Sequence, residues 1–95
     1  MYNLRIKKRA LKPMLGQTAD VRNQMRIELD KLESDPDDPD LDIGPISGSD
    51  LRRLKFRSRA RKFRAIFRRD DASKTITVEA IEPRGQAYTR RRLQR

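Results

Sequence analysis

The chain contains neither cysteine nor histidine. Disulfides, thiolate catalysis and the common zinc-ligand sets are therefore excluded, and acid or base chemistry must draw on Lys, Arg, Tyr, Asp or Glu. Without cysteine, nothing fixes the redox compartment. Tryptophan is also missing and aromatics make up only 5% of the residues, which disfavours a surface that binds single strands mainly by stacking bases over one that grips phosphates. No apolar run approaches the ~20 residues that span a bilayer, and the N-terminus has no apolar signal-peptide stretch, so a cytoplasmic protein is expected. Ninety-five residues predict a single small domain over 1–95 with a modest core, because so short a chain buries only roughly 60–65% of its unfolded surface.

What the chain has in excess is positive charge. Lys and Arg number 24 against 14 Asp and Glu, a net charge of +10. A compact body carrying that charge repels itself unless a polyanion or an acidic partner neutralises it, and nucleic acid is the leading candidate. The distribution is uneven. Residues 51–95 carry 16 basic and four acidic side chains, whereas residues 34–50 carry six Asp, three Pro, two Gly and no base. That acidic stretch reads as a solvated loop; its DPDDPDLDIG run lacks the residue order of a calcium-binding loop, and its prolines restrict coordination.

Alternation of Tyr2, Leu4 and Ile6 with Asn3 and Arg5 predicts a first strand almost at the N-terminus. Ala10, Leu11, Met14 and Leu15 then fall at helical spacing, with Pro13 inside to shorten or kink the helix and Gly16 to end it. Thr18 is placed to cap a second helix over Ala19 to Glu33, with Asp20 in its first turn and an apolar stripe of Val21, Met25, Leu29 and Leu32. Three strands follow the acidic loop. Leu54 and Phe56 alternate with Arg53, Lys55 and Arg57; Phe63, Ala65 and Phe67 with Arg64, Ile66 and Arg68; and Ile76, Val78 and Ala80 with Thr75, Thr77 and Glu79. Joined by residues 58–62 and by an Asp70-Asp71-Ala72-Ser73 turn, they form an antiparallel meander with one apolar and one cationic face. The last residues, with Arg90, Arg91, Arg92 and Arg95, read as a short helix or a basic end. The whole is an α+β domain, an antiparallel-rich sheet with two N-terminal helices on its apolar face, in the order β-α-α-β-β-β-(α).

The segments LKFRS, KFRAIFR and KTITVEAIEPRGQAY together resemble the RelE/ParE superfamily of toxins. They match a strand with two basic residues, an aromatic-Arg-rich strand, an apolar strand after an acidic turn, and a closing Arg-x-x-x-Tyr segment. The resemblance implies a RelE-like fold and a messenger-RNA endonuclease of a toxin-antitoxin system, cutting the codon in the ribosomal A site. It implies attack by the substrate's own 2′-hydroxyl, without metal or other cofactor, and an antitoxin that wraps the helices and covers the cationic face. The partners implied are mRNA, the ribosome with its rRNA, and that antitoxin, with no membrane and no small-molecule cofactor.

Carried onto this chain, the resemblance makes Arg64 the clamp on the scissile phosphate, because a planar guanidinium matches two phosphate oxygens at once. Arg84 stabilises charge on the leaving oxygen, since arginine is a poor proton donor. Tyr88 stacks on a base or orients the 2′-hydroxyl. Lys55, set among Arg53, Arg57 and Arg64, is the candidate base because like charges disfavour its protonated form. Arg53, Arg57 and Arg68 complete the expected RNA-binding face. Arg53 stands where relatives carry a first lysine, and Pro83 where many carry histidine. Two other functions remain open on the same residues: a ParE-like inhibitor of DNA gyrase, and a non-catalytic RNA- or ribosome-binding protein.

Overall fold

The computed structural model describes residues 1–84; the basic end and Tyr88 lie outside the described residues. Five strands form one sheet in the order β1-β5-β4-β3-β2. They are β1 (Asn3–Ile6), β2 (Asp42–Pro45), β3 (Arg52–Lys55), β4 (Phe63–Asp70) and β5 (Thr75–Pro83), with α1 (Lys8–Leu15) and α2 (Ala19–Ser34) between β1 and β2. β1 runs parallel to β5, and all other pairs are antiparallel. The α+β class, the mostly antiparallel sheet and the element order follow the sequence expectation.

The core lies between the helices and one sheet face. Ala10 and Met14 from α1 and Met25, Leu29 and Leu32 from α2 meet Leu54, Phe56, Ala65, Phe67, Ile76, Val78 and Ile81 from the sheet side. This is the burial that the apolar stripes demand, and it supplies most of the drive to fold. α1 tolerates Pro13 by being only eight residues long. It stops before Gly16, whose φ of −77° is an ordinary right-handed value, so the glycine ends the helix without using its conformational freedom. Thr18 occupies the N-cap of α2 with extended backbone, yet its side chain makes no capping hydrogen bond. Asp20 in the same turn instead lies 3.6 Å from Arg59.

Two departures from the sequence expectation matter. The acidic segment is not all loop: Asp42–Pro45 adds an edge strand to β3, pairing Ile43 with Leu54 and Gly44 with Arg53. Its short length and flanking prolines had hidden it, and both are common ways to blunt a sheet edge. The second departure is in β5. Ile66 pairs with Ala80 but Phe67 pairs with Val78, a bulge that places one extra residue, Glu79, opposite β4. A bulge reverses the alternation beyond it. Ala80 therefore belongs to the polar face and not to the apolar one, while Ile81 turns inward and is only 3% exposed.

At the far corner, Arg69 ties two remote segments, at Tyr2 and Asp37, to its own turn at Asp71. Its guanidinium donates to both Asp37 carboxylate oxygens at 2.8 and 3.1 Å and to Asp71 Oδ1 at 2.6 Å, and it lies over the Tyr2 ring at 5.4 Å. Tyr2 in turn donates to Asp71 at 2.8 Å. Hydrogen bonds from Arg69 are the largest influence holding the Asp37 and Asp71 carboxyls below the ordinary carboxylate range. Carboxyls depressed in the folded state add stability above their unfolded values and lose it as pH falls through the folded ones. Arg69→Ala is therefore expected to lower the urea midpoint at pH 7 and to flatten its decline below about pH 4, the ordinary carboxylate range; urea melts from pH 2 to 7 measure both.

Candidate functional site

On the sheet face away from the helices, β3, β4 and β5 lay their side chains in rows. One row is Lys55, Arg64 and Glu82, and the next is Arg53, Ile66 and Ala80. Over the second row opens a cleft of about 720 Å³. Its floor is Ile66 and Ala80, one wall is the 45–51 segment, and the other is formed by Arg9 and Glu79. Arg53, Arg64 and Glu82 also line it.

The guanidinium groups in this region are already engaged. Arg64 donates from Nε and Nη2 to Glu82 Oε1 at 3.3 and 3.0 Å, and the two side chains are 18% and 23% exposed. Arg53 lies flat against Gly44 and donates to the Pro45 carbonyl at 2.8 Å. Arg68 bridges Asp50 at 2.8 Å and Glu79 at 3.9 Å. Glu79 also takes Lys7 at 2.8 Å and Arg9 at 3.0 Å. Its carboxyl is held below the ordinary range, chiefly by the Lys7 hydrogen bond, with Arg9 assisting and burial opposing.

The sequence-derived residues thus fall into groups. Lys55 and Arg64 are direct cross-strand neighbours, and Arg53 lies one row away. Arg68 is not among the cleft-lining residues and reaches them only through Glu79, at 3.9 Å, while bridging Asp50. Arg84 follows the last β5 residue; its N–H donates to the Lys62 carbonyl and its Nη1 to the Arg61 carbonyl, each at 2.9 Å. Arg57 lies past the end of β3, where its N–H donates to Glu28 Oε2 at 2.8 Å. Glu28 is a carboxylate on α2 that is 3% exposed, and it pins the turn leading to Ser58, whose φ of 55° is left-handed. Tyr88 falls outside the described residues. Alternation had set Ile66 and Glu79 on the polar face without assigning them to a site, whereas Arg9, Glu28 and Glu82 are contributors it did not reach. The sequence signal for Glu82 was the break in alternation at Ala80-Ile81-Glu82.

Among the described residues, no group of three or more His, Cys, Asp or Glu is arranged to hold a metal ion, and no helix is long and apolar enough to cross a membrane. Chemically, the rows offer guanidinium and ammonium groups for an anion and a carboxylate in direct contact with one of them.

No protein-family model matches the chain, and no curated protein does. Solved structures do. A chain of the archaeal RelE-RelB complex from Pyrococcus horikoshii superposes with a TM-score of 0.74 at 24% identity, over 90% of this chain and 97% of that one. A chain of the intact E. coli RelBE toxin-antitoxin complex gives 0.70 at 23%, over 87% and 96%. The isolated E. coli RelE toxin gives 0.66 at 20%, over 99% and 98%. The chain has the fold of RelE toxins.

Gly44 is the sequence's provision for Arg53, since a Cβ there would lie 2.5 Å from the Arg53 Nη1 and 2.9 Å from its Cζ. The clash meets the end of a flexible side chain and no backbone. Gly44→Ala is therefore expected to keep the circular dichroism spectrum while expelling the Arg53 guanidinium from the Pro45 carbonyl. In ¹⁵N NMR of arginine side chains, the Arg53 Nε–H signal moves and that of Arg64 does not.

Proposed function

We propose that this protein is the toxin of a toxin-antitoxin system, a RelE-type endoribonuclease that cuts mRNA in the ribosomal A site and so stops translation. The observation that carries the reading is the Lys55–Arg64 pair on adjacent strands of a RelE fold, beside a cleft walled by further arginines. Arg64 grips the scissile phosphate, and a guanidinium there is well suited to the charge that builds on a phosphorane. Lys55, its cross-strand neighbour, serves proton transfer. Arg84 reaches the phosphate on releasing the Arg61 carbonyl and steadies developing charge. Arg53, Arg57 and Arg68 hold the RNA backbone on either side, and Tyr88 orients the base or the 2′-hydroxyl. The reaction needs no metal: the 2′-oxygen attacks phosphorus, leaving a 2′,3′-cyclic phosphate and a free 5′-hydroxyl.

Solved neighbours that are RelE-RelB complexes support a cognate antitoxin as the protein partner. Leu15 on α1 and Ile27 on α2 are 59% and 51% exposed, and they give such a chain apolar points to cover. A net charge of +10 favours an acidic or polyanionic partner on the opposite face.

The test is to add the full chain to a purified translation reaction and map the 5′ ends of the message. Cuts inside A-site codons are expected, with none in naked RNA and losses of about 10²-fold or more for Arg84→Ala and Lys55→Ala. Intact message together with impaired DNA supercoiling would assign the fold to gyrase inhibition instead.

A further inference from the structure

We infer that Glu82 is the group that takes the proton from the attacking 2′-hydroxyl, with Lys55 on the other side of Arg64 returning a proton to the leaving oxygen. This rests on the endoribonuclease reading above and assigns its acid and base.

The chain has no histidine, so no side chain titrates near neutrality by its ordinary chemistry. At pH 7 an ordinary lysine is protonated and an ordinary glutamate ionised, which suits the first to donate and the second to accept. Among the described residues, the carboxylates that line the cleft are Glu79 and Glu82. Glu79 is surrounded by Lys7, Arg9 and Arg68, which stabilise its charge and weaken it as a base. Glu82 has one cationic partner among the described residues, Arg64, and both contacts fall on Oε1. Oε2 lies outside that pairing.

The row order supplies the geometry. Lys55, Arg64 and Glu82 are consecutive across β3, β4 and β5, with neighbouring strands about 4.8 Å apart. Arg64 uses Nε and Nη2 on Glu82, so among the described residues its Nη1 remains for a phosphate oxygen. A phosphodiester seated there has a carboxylate on one flank and an ammonium on the other. In-line displacement at phosphorus needs that arrangement, because the entering and leaving oxygens lie on opposite sides. The proton on O2′ passes to Glu82 Oε2 as the O2′–P bond forms. The P–O5′ bond breaks, and O5′ takes a proton from Lys55 Nζ. Protonated Glu82 and neutral Lys55 then exchange with water to restore the starting state.

The test compares wild type, Glu82→Gln and Glu82→Asp as full chains by single-turnover cleavage of an A-site codon at pH 7, with circular dichroism checking the fold. Glu82→Gln, which keeps the side-chain shape but cannot take up the proton, should cut about 10²–10⁴-fold more slowly, whereas Glu82→Asp, which keeps a carboxylate, recovers part of that loss. A cleaving wild type matched or exceeded by Glu82→Gln would overturn the assignment and make Glu82 a mere occupant of the phosphate position. A wild type that cuts no message would take down the endoribonuclease reading and this inference with it.

Discussion

The pairing of β4 with β5 is the constraint on which the rest of the molecule depends. It is the longest in the sheet, running from Phe63 opposite Pro83 to Asp70 opposite Thr75. Its bulge decides which side chains face the core and which face solvent. Before the bulge, Ile76 and Val78 are fully buried; after it, Ile81 takes over the inward position. Without the extra residue, Glu82 would point toward the helices and Ile81 into the cleft. Because a slip of one residue exchanges the two faces, the apolar demand of Ile81 and the polar demand of Glu82 together fix the register. The same pairing sets Glu82 beside Arg64 and Ala80 beside Ile66 in the cleft floor.

Charge is the second organising theme. A chain with 24 basic residues against 14 acidic ones spends several of its few carboxylates on the cationic face. Glu79 lies against Lys7, Arg9 and Arg68, Glu82 against Arg64, and Asp50 against Arg68. Such contacts reduce self-repulsion in the free protein and hold long side chains in place. The Asp50–Arg68 pair, 78% and 48% exposed, contributes little to stability, so a polyanion can displace it at small cost. From the acidic segment, Asp37 anchors Arg69 at the corner, Asp40 lies 3.9 Å from Lys31 of α2, and Asp50 reaches Arg68.

Much of this was legible in the residues. Alternation placed Leu54 and Phe56 inward and set Lys55 and Arg64 on one polar face, and the stripe from Val21 to Leu32 defined α2 to within a residue. The rest depended on long-range pairing that local pattern does not encode. Pro45 and Gly44 read as loop residues, yet they pair with β3, and Gly44 is needed there because Arg53 lies across it. Ala80 looked apolar enough to continue the inward series, but the bulge turned it outward. Nothing in the stripe of α2 singles out Glu28, yet it is buried, and the Arg57 N–H and the Gln24 amide both donate to its Oε2.

The central claim is that RNA lies across the Lys55–Arg64–Glu82 row with its reacting phosphate on Arg64. The most direct measurement is an electron cryo-microscopy structure of the full chain on a ribosome whose A-site codon is 2′-O-methylated and so cannot be cut. The account predicts the scissile phosphate against Arg64, with the blocked 2′-oxygen toward Glu82 and the 5′-oxygen toward Lys55. A message bound on the helical side, or a row left facing solvent, would contradict it.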